Sequence, residues 1–120
     1  MECYSGDKIY DHASKEAVFT IKKEIPSEEA ISKVSDIFKM LASPSRLKIL
    51  YTLRAGKLCV HLIAEIVEIE ISAVSHHLKL LKLQNLIKSE KKGKEVYYSL
   101  ADEHIISLID NIYEHIKEKS

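Results

Sequence analysis

The sequence has little of the residues that usually break up or staple a chain: three glycines, two prolines and two cysteines among 120 residues. Cys3 in a polar arm and Cys59 beside an expected helix start give no disulfide framework, and both read as reduced thiols. No apolar run approaches membrane-spanning length, and residues 1–8 lack the apolar core of a signal peptide. The sequence therefore predicts a cytoplasmic chain with no membrane partner. Internal repeats and low-complexity tracts are also absent. Net charge is zero, with 18 Lys and Arg against 18 Asp and Glu, which removes any global electrostatic pull towards nucleic acid.

What is present is ordinary for a folded protein: 46% hydrophobic and 30% charged residues, in a length that suits one domain with a core. The charge is unevenly spread. From residue 72 to 99 six lysines (79, 82, 88, 91, 92, 94) face two glutamates, a local +4. From residue 101 to 120 two lysines face five acids, a local −3. A basic segment of this kind can hold phosphate even in a neutral chain.

Residues 1–24 carry mixed charge and little periodicity, with Pro26 after them, and read as an arm containing a short helix near residues 14–23. The domain proper is expected over residues 25–120. Ser27 as a cap, Glu28 and Glu29 in the first turn, and Ala30, Ile31, Val34, Ile37, Phe38 and Leu41 at helical spacing predict the next helix. Ser43-Pro44 repeats the start signal, Leu47, Leu50 and Leu53 follow, and Gly56 ends that helix. Residues 58–67 and 72–85 are two further helical stretches separated by Glu68-Ile69-Glu70-Ile71, a turn without glycine, and together they form a helix-turn-helix candidate. Residues 87–89 and 96–99 are β-prone and joined through Lys91-Lys92-Gly93-Lys94, where Gly93 supplies positive φ for a basic hairpin wing. From Asp102 to about Lys117, Ile105, Ile109, Ile112 and Ile116 mark a last amphipathic helix. The fold class is thus mainly α with a small β-hairpin.

A recognition helix needs small polar side chains on its exposed N-terminal half, because these reach base edges in the major groove. Ser72, Ser75, His76 and His77 meet that need, while Lys79, Lys82 and the wing lysines Lys91, Lys92 and Lys94 suit phosphates. A solvated polar face and a soluble hairpin fit the same spacing.

The run Leu58-Cys59-Val60, then Ser72-Ala73-Val74-Ser75-His76-His77-Leu78, then Gly93-Lys94-Glu95-Val96-Tyr97-Tyr98-Ser99-Leu100 resembles the ArsR/SmtB family of metal-sensing repressors. Ala42-Ser43-Pro44-Ser45-Arg46-Leu47-Lys48-Ile49-Leu50 is similar to that family too, and the resemblance covers roughly residues 30–118. It implies a homodimeric winged helix-turn-helix, joined through its N- and C-terminal helices, that represses from a double-stranded DNA operator and is released by an inducer.

The last helix carries Asp102 and His104 and, eleven residues beyond His104, His115 with Glu118 after it. At about 100° per residue His104, His115 and Glu118 fall on one stripe, away from the isoleucines. Eleven residues rise about 16 Å, far beyond the roughly 2 Å of a metal–ligand bond, so one helix cannot close a site on itself. Two antiparallel copies can, giving two equivalent sites per dimer. Two imidazoles and two carboxylates suit Zn2+ or Co2+ and disfavour thiolate-loving copper(I), arsenite or cadmium. The order Asp-x-His, then His-x-x-Glu, resembles the interhelical site of the family's zinc sensors. The same resemblance suggests a link in which His115 donates to the Asn85 carbonyl. An acidic solvated face with two incidental histidines also fits the spacing.

A second candidate is Cys59 with His61, which in soft-metal members of the family would be completed by the other subunit's arm, here Cys3, Asp11 or His12. The arm has Tyr10-Asp11-His12 in place of a paired-cysteine motif, so a buried cysteine and a surface histidine also explain the pair. A thiol-redox signal through Cys59 is the alternative to metal. A zinc hydrolase is the enzymatic rival; four ligands on an interfacial helix leave no open coordination position, and no enzyme is expected.

Overall fold

The computed structural model describes residues 6–12 and 14–119. They form helix α1 (Lys15–Glu24), α2 (Glu28–Leu41), α3 (Pro44–Thr52), a 3₁₀ turn (Leu53–Ala55), strand β1 (Leu58–Cys59), α4 (Val60–Val67), α5 (Ile71–Leu83), β2 (Ile87–Lys92), β3 (Glu95–Leu100) and α6 (His104–Lys119). The chain divides into two compact units, residues 1–35 and 36–120, with the division inside α2.

In the first unit, Ser14 caps α1 by accepting from the Ala17 N–H at 3.0 Å, and Ser27 does the same for Ala30 at 3.1 Å. No residue of α1 is buried.

The second unit holds the core. Ile49 and Leu50 from α3, Ile63 from α4, and Val74, Leu78 and Leu81 from α5 are fully enclosed, with Leu86, Ile87 and Ile109 packed onto them. Ser43 caps α3 through the Arg46 N–H at 3.3 Å, with Pro44 in the first turn. These helices form because their apolar residues recur on one face, and in α3 the Ser43 cap satisfies an N–H group that the first turn leaves over.

The antiparallel sheet has the order β1-β3-β2. Lys92 pairs with Glu95 and Ile87 with Leu100, so Gly93, at φ 66°, and Lys94 make a two-residue hairpin turn. Lys91 and Lys92 therefore lie in a strand, not in the connecting loop. Leu58 and Cys59 correct the sequence expectation as well. They are strand residues opposite Tyr98 and Tyr97, not the first turn of a helix, because β3 supplies a ladder that local periodicity cannot show.

Two ends of the last helices also differ from the sequence reading. α6 starts at His104, with Asp102 before it accepting the His104 N–H at 2.9 Å. Its buried residues are Ile106 and Ile109, whereas Ile112 and Ile116 are 48% and 55% exposed. α5 ends at Leu83, and Asn85 follows in the left-handed region at φ 60°.

Candidate nucleic-acid interface and metal centre

α4 and α5 are joined by a tight turn in which Glu68 takes φ 57° and ψ 47°, the left-handed conformation usually given to glycine. The N–H groups of Glu68 and Ile69 both reach the Ala64 carbonyl, at 2.9 and 3.3 Å. The missing glycine therefore leaves the turn's hydrogen bonding intact and loads the strain onto Glu68.

Ser72, Ser75, His76 and Lys79 are all exposed and lie at helical spacing, opposite buried Val74, Leu78 and Leu81. The Ser72 hydroxyl donates to the Glu70 carboxylate just before the helix. His77 is different. It is half-buried, and its Nδ1 accepts a hydrogen bond from Arg46 Nε at 3.2 Å. Burial, then the positive charge of Arg46 and the neighbouring His76, hold the His77 pKa below its ordinary 6.5.

The wing presents Lys91, Lys92 and Lys94, all exposed. Sequence reasoning missed Lys57, whose ammonium donates to Glu90 at 2.8 Å, and Lys92 stands 3.9 Å from the same carboxylate. The Lys57 hydrogen bond and charge, followed by Lys92, lower the Glu90 pKa. Arg46 was missed too; its place at the start of α3, beside the Ser43 cap, is the only local signal for it.

On α6, Asp102 and His104 are neighbours, with 3.2 Å between the carboxylate and Nδ1. Asp102 has its pKa lowered, first by the His104 main-chain hydrogen bond and then by its side chain. His115 and Glu118 are exposed on the far part of the same helix. Among the described residues no three His, Cys, Asp or Glu side chains gather as a metal-binding group within one chain. The donors present, oxygen and imidazole nitrogen exposed at both ends of α6, fit a zinc-type ion only as half-sites. Beside them, an apolar groove is lined by Phe38, Leu41, Ala42, Leu47, Ile109 and Ile112. His115 makes no hydrogen bond to Asn85 among the described residues.

Cys59 is a half-buried free thiol in β1, and His61 is exposed in the first turn of α4. His12 lies in the first unit, 3.7 Å from Asp11, and Cys3 falls outside the described residues.

The bacterial regulatory protein arsR family model matches residues 43–89, from the cap of α3 to the start of the wing. The chain is 37% identical over 103 residues to a Synechocystis transcriptional repressor SmtB homolog, covering 86% of this chain and 78% of that one. It is 40% identical over 110 residues to a Staphylococcus aureus cadmium resistance transcriptional regulatory protein CadC homolog, covering 91% and 88%. Among solved structures, a homodimeric winged helix-turn-helix DNA-binding domain from Mycobacterium bovis superposes with a TM-score of 0.70 at 26% identity, over 79% of this chain and 94% of that one. The solution structure of apo-NmtR gives 0.66 at 37% identity, over 78% and 79%; NmtR of Mycobacterium tuberculosis is a transcriptional regulator. These relatives are regulators of transcription rather than enzymes.

Proposed function

The chain belongs to the ArsR family of bacterial regulatory proteins, and on that premise we propose that it is a metal-responsive transcriptional repressor whose homodimer binds a palindromic operator and leaves it when zinc binds. Cobalt substitutes for zinc in this reading. Residues 25–120 carry both activities, residues 1–24 act as an arm, and the protein works in the cytoplasm.

The observation that carries the proposal is the distribution of donors on α6. Asp102 and His104 form one exposed pair at its start, and His115 and Glu118 lie exposed about 16 Å further along. Among the described residues, each chain thus offers two half-sites and no whole one. A twofold-related, antiparallel α6 places Asp102 and His104 against His115 and Glu118 of the partner subunit, twice per dimer. Exposed Ile112 and Ile116 supply the apolar surface that such a pairing covers. When bound, zinc would cross-link the two helices through Asp102 and His104 of one chain and His115 and Glu118 of the partner subunit.

On the DNA side, Ser72, Ser75, His76 and His77 face base edges, and Lys79, Lys91, Lys92 and Lys94 face phosphates. Recognition helices of a twofold dimer must sit about 34 Å apart to enter successive major grooves. A cross-link that fixes another spacing costs operator affinity, and a His115 bond to the Asn85 carbonyl, just past α5, transmits it. The names of several relatives mention cadmium or arsenical resistance. The nitrogen and oxygen donors of α6 favour zinc over those softer ions, whose candidate ligands here are Cys59, His61, His12 and Cys3.

Fluorescence anisotropy tests the proposal with a duplex selected from a random pool by the metal-free protein, titrated with zinc, cobalt, nickel and cadmium. Zinc and cobalt should weaken binding through α6. Unchanged or tighter binding in saturating zinc contradicts it.

A further inference from the structure

Arg46 stands in the first turn of α3, yet its guanidinium reaches the recognition helix. Nε donates to Nδ1 of His77 at 3.2 Å, and a terminal nitrogen donates to the Met40 carbonyl at 3.4 Å. Two contacts on different elements fix the plane of the guanidinium. An arginine in a protein is always protonated and can only donate, so Nδ1 of His77 can only accept. The single proton of the neutral ring is then on Nε2.

His77 sits at the edge of the exposed stripe of α5, half-buried beside exposed Ser75 and His76. We infer that Arg46 is a specificity-determining positioning residue that holds His77 as the Nε2–H tautomer, so that α5 offers DNA one donor and no acceptor at this position. The inference rests on the DNA-binding reading of α5.

An imidazole free to exchange tautomers can donate from Nε2 or accept there. It would match the acceptors guanine O6 and N7 as well as the donor amines of adenine and cytosine. Locking Nδ1 as acceptor removes the second possibility, and a ring that only donates discriminates where a free one does not. Arg46 contributes this without touching a base.

Protonation undoes the arrangement, because a charged ring has a proton on both nitrogens and nothing left to accept from Arg46. The charged groups acting on His77 are Arg46 from α3 and His76 of its own helix, and both disfavour the charged ring. The folded chain therefore binds this proton more weakly than the unfolded chain does. The stabilisation is complete above pH 6.5 and is lost as pH falls through the lowered folded value.

The test uses the full chain in chelator-treated buffer, with Arg46→Met and His77→Gln variants whose folding is checked by thermal melts. The 15N shifts of His77 at neutral pH should show protonated Nε2 and bare Nδ1, and a tautomer mixture in Arg46→Met. Two duplexes then serve as probes, one selected from a random pool by the unaltered protein and one scrambled. Arg46→Met should lower the selected-to-scrambled affinity ratio about tenfold, with scrambled binding nearly unchanged. Glutamine does not titrate, so whatever the ratio of His77→Gln at neutral pH, its fall as pH drops below 6.5 should be smaller than in the unaltered protein. If Arg46→Met does not fold, the His77→Gln pH profile and the wild-type shifts decide alone. An Nδ1–H tautomer, an equal loss on both duplexes, or an unmoved ratio would overturn the inference. Failure of the unaltered protein to bind either duplex would instead overturn the DNA-binding reading.

Discussion

Arg54, in the 3₁₀ turn after α3, donates to the carboxylate of Asp110, midway along α6 between His104 and His115. The same guanidinium lies 5.3 Å from the Tyr51 ring centre. Burial, then the negative charge of Asp110, raises the Tyr51 pKa. The helix carrying the proposed metal donors is thus pinned at its middle to the end of α3 by a charged pair.

Both partners are about half-exposed, at 50% and 44%, so the pair is screened by water and salt. Arg54→Met should cost no more than about 1 kcal/mol of stability at low ionic strength. Thermal melts at low and high salt check this, and the difference from the unaltered chain should shrink in high salt.

Glu68 gives a prediction of opposite sign. A side chain in the left-handed region is strained relative to glycine, which adopts it freely. Glu68→Gly should stabilise the chain by about 1 kcal/mol, read as a higher denaturant midpoint at unchanged m value. A lower midpoint would mean that the Glu68 side chain makes a contribution larger than its backbone strain.

Much of this architecture was legible in the chain. Ser27 and Ser43 announced two helix starts, and each accepts an N–H of the first turn. The recognition-helix reading expected Ser72, Ser75 and His76 on an exposed half, and they are exposed, opposite buried Val74, Leu78 and Leu81. Features that depend on distant partners were not legible. Leu58 and Cys59 read as helix until β3 pairs with them. Arg46 and His77 are 31 residues apart and share no motif. The isoleucine spacing of α6 located a helix but could not separate Ile109, which meets the core, from Ile112 and Ile116, which stay exposed in the single chain.

The wing and the recognition helix should separate in a salt titration. Lys94, at the exposed hairpin turn, is proposed to meet one phosphate in each half of the dimer, so Lys94→Met should reduce the slope of log K against log salt by about 1.8 on any duplex. Ser75→Ala should leave the slope unchanged and lower affinity for the selected duplex alone. Equal slopes for Lys94→Met and the unaltered protein would remove the turn from the interface.

The most direct measurement is a zinc titration of a mixed dimer, one chain carrying His104→Ala and the other His115→Ala. Each homodimer should have no tight site, because every site needs one residue of each kind. In the mixed dimer one site combines both lesions, while the other combines an intact His104 with an intact His115 of the partner subunit. One full-affinity zinc per mixed dimer should therefore return. Zero tight sites would contradict donors shared between subunits, and with them the proposed coupling of metal to the dimer.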